Sequence, residues 1–221
     1  MSRPWQTIDR VATPEGALEL RQRGERDFLI VIGGRVLMSS TAFLSEVFLA
    51  KTACQLLGAK PRVLIGGLGM GLTLRAALDA LPADAQVLVA ELNPQVVAWC
   101  RGPLAILSQD GLADARVQVE VADVAAVIGR AAREGPRFDA IILDLYEGPH
   151  AATQKPDNPF YGAKALAHSR DALQPGGVLA VWSEDPDAAF EKRLIAAGFA
   201  VQVDHPGHGG RRHVVYTAKS K

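Results

Sequence analysis

The sequence predicts an α/β fold: a doubly wound, mostly parallel seven-stranded sheet with a small N-terminal β piece. Three observations carry this reading. Short apolar runs alternate with helical patterns from Arg62 onward. Those runs are continuous rather than alternating, as strands covered on both faces require. The chain has 221 residues, 48% of them hydrophobic and 22% charged, enough for an α/β unit with a real core.

The N-terminal piece comes first. Ala17–Arg21, Phe28–Ile32 and Val36–Met38 read as short strands, with turns at Gly24 and Gly33-Gly34. From Ser45 to Leu57, residues Val47, Phe48, Ala50, Ala53, Cys54 and Leu57 recur at helical spacing, and Gly58 supplies a stop. This divides the chain into an N-terminal segment, 1–58, and a main segment, 59–221. In the main segment the predicted strands are Val63–Ile65, Val87–Ala90, Val117–Val121, Phe138–Leu143 and Gly177–Trp182. The helices between them are Leu72–Leu81, the run opened by Pro94, Val124–Arg133, Gly162–Leu173 and Ala188–Ala197. Phe199–Asp204 and Arg212–Thr217 read as a closing hairpin that adds an antiparallel pair at one edge.

Several function classes are disfavoured. Lys plus Arg and Asp plus Glu number 24 each, so no basic surface for nucleic acid is expected. No apolar run approaches the ~20 residues of a membrane span. Met1 to Pro14 lacks a signal-peptide core, and a cytoplasmic location is expected. Cys54 and Cys100 lie in apolar helical patterns and read as buried thiols. His205, His208 and His213 with Asp204 lack tight ligand spacing and read as a glycine-rich surface loop, so no metal is expected.

The chemistry concentrates at strand ends. The first main strand runs into Gly66-Gly67-Leu68-Gly69-Met70-Gly71 and then a helix. Glycines allow a tight turn and close ligand approach, and a helix N-terminus offers free N–H groups. On this reading Gly66, Gly67, Gly69 and Gly71 hold the ligand, and valine at Gly67 or Gly69 abolishes binding but not folding. Glu91 ends the next strand, where a carboxylate can accept both hydroxyls of an adenosine ribose. Asp123 follows the third strand; it either caps the next helix or contacts an adenine amino group, and the two roles are compatible. Asp144 follows the fourth strand, in Leu143-Asp144-Leu145-Tyr146-Glu147. All lie at carboxyl ends of parallel strands, where open α/β sheets bind ligands. The polar segment 150–159 beside them reads as a lid or as a solvated connection.

This order of glycine loop, Glu91, Asp123, Asp144 and then Gln174-Pro175-Gly176-Gly177 resembles the class I S-adenosylmethionine-dependent methyltransferases. More narrowly, it resembles the spermidine synthase (polyamine aminopropyltransferase) branch, on Val63–Arg75, Asp114–Val117, Phe138–Asp144 and Asn158–Tyr161. The resemblance covers Arg62 to about Phe199; Ser45-Glu46 matches loosely. It implies the class I methyltransferase fold, with S-adenosylmethionine or its decarboxylated form on Gly66, Gly67, Gly69, Gly71, Glu91, Asp123 and Asp144. Asp144 is the implied general base or substrate orienter, with Tyr146 and Glu147 as second choices. The implied partner is a small-molecule acceptor, and a homodimer is an assembly the resemblance allows.

Two departures shape the expected reaction. The loop carries apolar Leu68 and Met70 where the branch has an Asp, and Glu147 stands in for a second Asp. A dication stripped of water needs paired charges. Methyl transfer is therefore the leading expectation, with a linear diamine a poor acceptor and aminopropyl transfer as the alternative. A non-catalytic nucleotide-binding protein is a further reading, and an NAD-dependent oxidoreductase fits the Gln-Pro-Gly-Gly segment less well.

Overall fold

The structure, a computed structural model, describes residues 3–55, 57–146, 148–206 and 213–221. Its N-terminal part is an antiparallel meander of β1 (Gln6–Thr13), β2 (Gly16–Arg23), β3 (Asp27–Ile32) and β4 (Arg35–Ser39). The sequence reading missed β1, and the physical reason is visible. Its side chains are mostly exposed and polar, so it carries no buried stripe. Pairing with β2 holds it, along with Asp9, whose carboxylate accepts from Trp99 Nε1 and Gln95 Nε2 at 2.6 Å each.

Helix α1 (Leu44–Cys54) follows, ending three residues short of the predicted Leu57. The main sheet has seven strands in the order β10-β11-β9-β8-β5-β6-β7. Its parallel strands are β5 (Arg62–Gly66), β6 (Gln86–Glu91), β7 (Val117–Val121), β8 (Phe138–Leu143) and β9 (Leu173–Ser183). The expected edge hairpin is arranged differently. β11 (Val214–Ser220) inserts antiparallel between β9 and β10 (Phe199–Asp204), so the reversed strand is internal. Gln174–Gly177, where the predicted helix gives way to the predicted strand, is an irregularity within β9. Its register jumps from Leu173 opposite Phe138 to Val178 opposite Ala140.

The connecting helices are α2 (Leu72–Ala80), α3 (Pro94–Arg101), α4 (Ala105–Ser108), α5 (Val124–Glu134), α6 (Ala163–Asp171) and α7 (Ala188–Ala196). Strand side chains alternate between two apolar layers. Val63, Ile65, Ala140, Ile142, Ala180 and Val215 face one layer, which also holds residues of α1, α2 and α3 together with Leu18, Leu20, Phe28 and Ile30 of the meander. Leu64, Ile141, Leu143, Leu179 and Val181 face the other, with α5, α6 and α7. The meander and the main sheet thus share one core. No helix among the described residues is long and apolar enough to cross a membrane.

Candidate active site

The glycine loop after β5 is shaped first by its own neighbours. Gly67 has φ +87°, and a Cβ there would stand 2.4 Å from the carbonyl oxygen of Asp144. At Gly69 a Cβ would stand 2.8 Å from the Met38 sulfur, which comes from β4. The expectation that valine at either position would spare the fold is therefore corrected for Gly67, whose extra carbon meets backbone. The loop's two apolar side chains turn inward: Leu68 and Met70 are buried in the layer under α1 and α2. Gly71, with φ +75°, starts α2.

Glu91 ends β6 with 9% of its surface exposed. Its Oε2 accepts from Leu68 N and its Oε1 from Asn93 N, both at 2.8 Å. The carboxylate therefore ties the glycine loop to the next strand end. Each of its oxygens keeps a second lone pair for a further donor. Asp123 is the N-cap of α5, its Oδ1 accepting from Ala125 N at 2.9 Å. It is exposed at the neighbouring strand end.

Asp144 sits one residue beyond β8, half-buried, and Thr73 Oγ1 of α2 donates to its Oδ2 at 2.5 Å. Burial and then the nearby charge of Glu46 push its carboxyl up to about 7, against the pull of the Thr73 hydrogen bond. Tyr146 is at the rim rather than in this cluster. The residue is 46% exposed, with the Arg35 guanidinium 4.9 Å from its ring centroid. Glu147 lies outside the described residues.

Residues to which the sequence reading gave no role in the site lie around Asp144. Alternation along the strands puts Asp144, Trp182 and His213 on the same side as Ile142, Ala180 and Val215. The first turn of α1 lies over that row. Ser45 Oγ lies 2.9 Å from His213 Nδ1 and donates to Glu46 Oε2 at 2.6 Å. The His213 ring stands edge-on to Trp182, with centroids 5.1 Å apart. The surface-loop reading of His213 is thus corrected: it is half-buried against α1 and β9. His205 is exposed, and His208 lies outside the described residues. No group of metal ligands occurs among the described residues. Tyr161 is 3% exposed, and its hydroxyl finds no partner. Burial first, and then the charge of Asp144, raise that phenol well above its ordinary range. The loosely matched Ser45-Glu46 pair and Tyr161, at the end of the Asn158–Tyr161 segment, were the signals the sequence offered for this cluster.

The segment 150–159 holds a short turn, Ala151–Thr153, capped by His150. Gln154 Nε2 lies 3.4 Å from Asp187 Oδ1, which pins the segment to the start of α7.

No family model matches the chain. Individual proteins do. The sequence is 31% identical over 158 residues to a polyamine aminopropyltransferase of Mycobacterium tuberculosis, covering 67% of this chain and 28% of that protein. It is 35% identical over 120 residues to polyamine aminopropyltransferase 1 of Hyperthermus butylicus, covering 53% of this chain and 39% of that protein. The chain thus spans well under half the length of both. Spermidine synthase from Thermotoga maritima has the same fold, with a TM-score of 0.75 and 19% identity over 98% of this chain and 73% of that one. A spermidine synthase in complex with the transition-state analogue AdoDATO aligns with a TM-score of 0.73, 19% identity and the same coverage. These findings bear out the spermidine synthase-like resemblance and the fold read from the sequence. They overturn the leading expectation of methyl transfer, because the relatives are aminopropyltransferases. The argument for methyl transfer leaned on Leu68 and Met70, which the fold places in the core, and on Glu147, which lies outside the described residues.

Proposed function

We propose that this spermidine synthase-like chain is an aminopropyltransferase, moving the aminopropyl group of decarboxylated S-adenosylmethionine to the nitrogen of a small amine. The observation that carries this is Asp144, a carboxyl at the end of a central strand that burial and Glu46 bring up to about 7. A general base works best with a proton affinity near the working pH.

The donor is a substrate, and the residues present fit it. Glu91 takes the ribose hydroxyls on its remaining lone pairs, Asp123 lies at the next strand end for the adenine amino group, and Gly66, Gly67, Gly69 and Gly71 let the backbone approach. Asp144 orients the amine toward the methylene carbon beside the sulfonium. A C–N bond forms, the C–S bond breaks, and its electron pair goes to sulfur, leaving neutral methylthioadenosine. Asp144 takes the proton that the new secondary ammonium gives up. Orientation supplies most of the acceleration, since the sulfonium is already a good leaving group.

The test offers decarboxylated S-adenosylmethionine with a panel of amines and measures methylthioadenosine release. Amine-dependent release supports the reading. Tight methylthioadenosine binding without release from any amine would refute it in favour of a nucleotide-binding protein.

A further inference from the structure

A cleft of about 470 Å³ lies where the base of the meander meets α1, α2 and α4, a volume that suits a small molecule. Each long helix lends it one face: Val47 and Lys51 of α1, and Leu72, Ala76 and Asp79 of α2. That face of α2 is not the one that serves the strand ends, where Thr73 donates to Asp144. Phe43, 39% exposed, and Leu107 of α4 extend the apolar wall. The charged groups lining the cleft are Arg26, Asp27, Lys51, Arg75 and Asp79. Both acids already have a guanidinium. Asp27 pairs with Arg23 at 3.3 Å, and Asp79 with Arg75 at 2.6 Å. Arg26 and Lys51 have no carboxylate partner among the described residues. Arg26 Nη2 donates instead to the carbonyl oxygen of Ile106 at 3.1 Å, which fixes the guanidinium at the α4 wall. Ser40 Oγ donates to the Arg26 carbonyl oxygen at 3.0 Å and accepts from Phe28 N at 2.9 Å. The turn that carries Arg26 is thus held without a ligand. Arg75 Nε is buried and finds no acceptor. A buried donor left unpaired is costly, so it marks a place where an acceptor is missing.

We propose that this cleft is a binding site for a small organic anion, its acidic head taken by Arg26 and Lys51 and its apolar body laid on Phe43, Val47 and Leu107. The site stands apart from Glu91, Asp123 and Asp144, and it holds whether or not the chain transfers an aminopropyl group. Both halves of the ligand are called for. Exposed charge pairs gain little on their own in water. Apolar burial has no direction. Together, the wall supplies affinity while the two cations select the sign and orientation of the ligand. A polyamine would meet two uncompensated cations here and two acids that are already paired, so the cleft is not a second amine site.

The experiment titrates the full chain with two fluorescent probes. 8-Anilinonaphthalene-1-sulfonate carries one sulfonate on an aromatic frame, and N-phenyl-1-naphthylamine is the same frame without it. The sulfonate should bind about tenfold more tightly than the neutral probe, because two charge pairs each add several-fold. Lys51 is exposed, and Lys51→Met keeps its aliphatic stem but not its charge. This variant should weaken sulfonate binding about fivefold and leave the neutral probe within about twofold. Phe43→Ala should weaken both probes, since it removes part of the shared wall. Circular dichroism and urea midpoints matching wild type show that the variants are folded. Methylthioadenosine should displace neither probe. Equal binding of the two probes would overturn the proposal, as would an unchanged sulfonate affinity in Lys51→Met. Displacement by methylthioadenosine would put the probes at the strand ends and overturn it as well. Sulfonate binding that falls as protein concentration rises would give the cleft to a second copy of the chain, again against the proposal.

Discussion

Replacing Asp144 by Asn should make the protein more stable at neutral pH, the reverse of the usual effect of altering a paired carboxylate. In the folded chain burial and Glu46 lift this carboxyl from 3.8 to about 7, while the unfolded chain releases its proton near 3.8. Between those values the folded state holds the proton and the unfolded state does not. Folding stability therefore falls as pH rises through that window and stays reduced above about 7. The window spans roughly three decades, each worth ~1.4 kcal/mol, so the full cost at about pH 8 has a ceiling of ~4 kcal/mol. Asn keeps an oxygen for the Thr73 hydroxyl but adds an amide that needs a partner. That leaves a gain of ~2 kcal/mol, or roughly 4–8 °C in Tm for a chain of this size. The assay is urea denaturation of both proteins at several values between about pH 5 and pH 8. The stability difference should grow across that range and level off above it. Parallel pH profiles, or a variant less stable than wild type at about pH 8, would refute the placement of Asp144 beside Glu46 in a buried site.

Three further outcomes follow from the same geometry. Gly67→Ala should lower stability by about 3 kcal/mol or more, because its Cβ would sit 2.4 Å from the Asp144 carbonyl oxygen on a backbone with φ +87°; a wild-type urea midpoint would contradict the packing of the loop on β8. Glu91→Ala should weaken methylthioadenosine binding by at least about 100-fold, since two charge-assisted hydrogen bonds of ~1.5–3 kcal/mol each are lost, and calorimetry showing unchanged affinity would place the ribose elsewhere. Cys54 and Cys100, pushed up to about 12 chiefly by burial, should resist alkylation in the folded protein at about pH 8 and react on denaturation; rapid labelling of the native chain would show that they are not buried.

The sequence by itself determined the repeating strand–helix order and the parallel core. Each strand is a local apolar run, and each helix has its own period. It also located Gly66–Gly71, Glu91, Asp123 and Asp144, because a strand end followed by a turn and a helix is a local pattern. The N-cap role of Asp123 was readable for the same reason. Only the tertiary structure decided the rest. β1 exists because β2 and Asp9 give its polar chain partners, not because of its own pattern. β11 is internal because its pairing runs to both β9 and β10, a choice its own residues do not record. Leu68 and Met70 look like loop residues in the sequence, but the turn of the backbone sends them into the core. Ser45 and His213 meet across 168 positions, and no local signal links them. The proton affinity of Asp144 depends on such meetings. A carboxyl's proton affinity is set by what surrounds it in space, and Glu46 becomes the neighbour of Asp144 only when α1 packs across the ends of β8, β9 and β11.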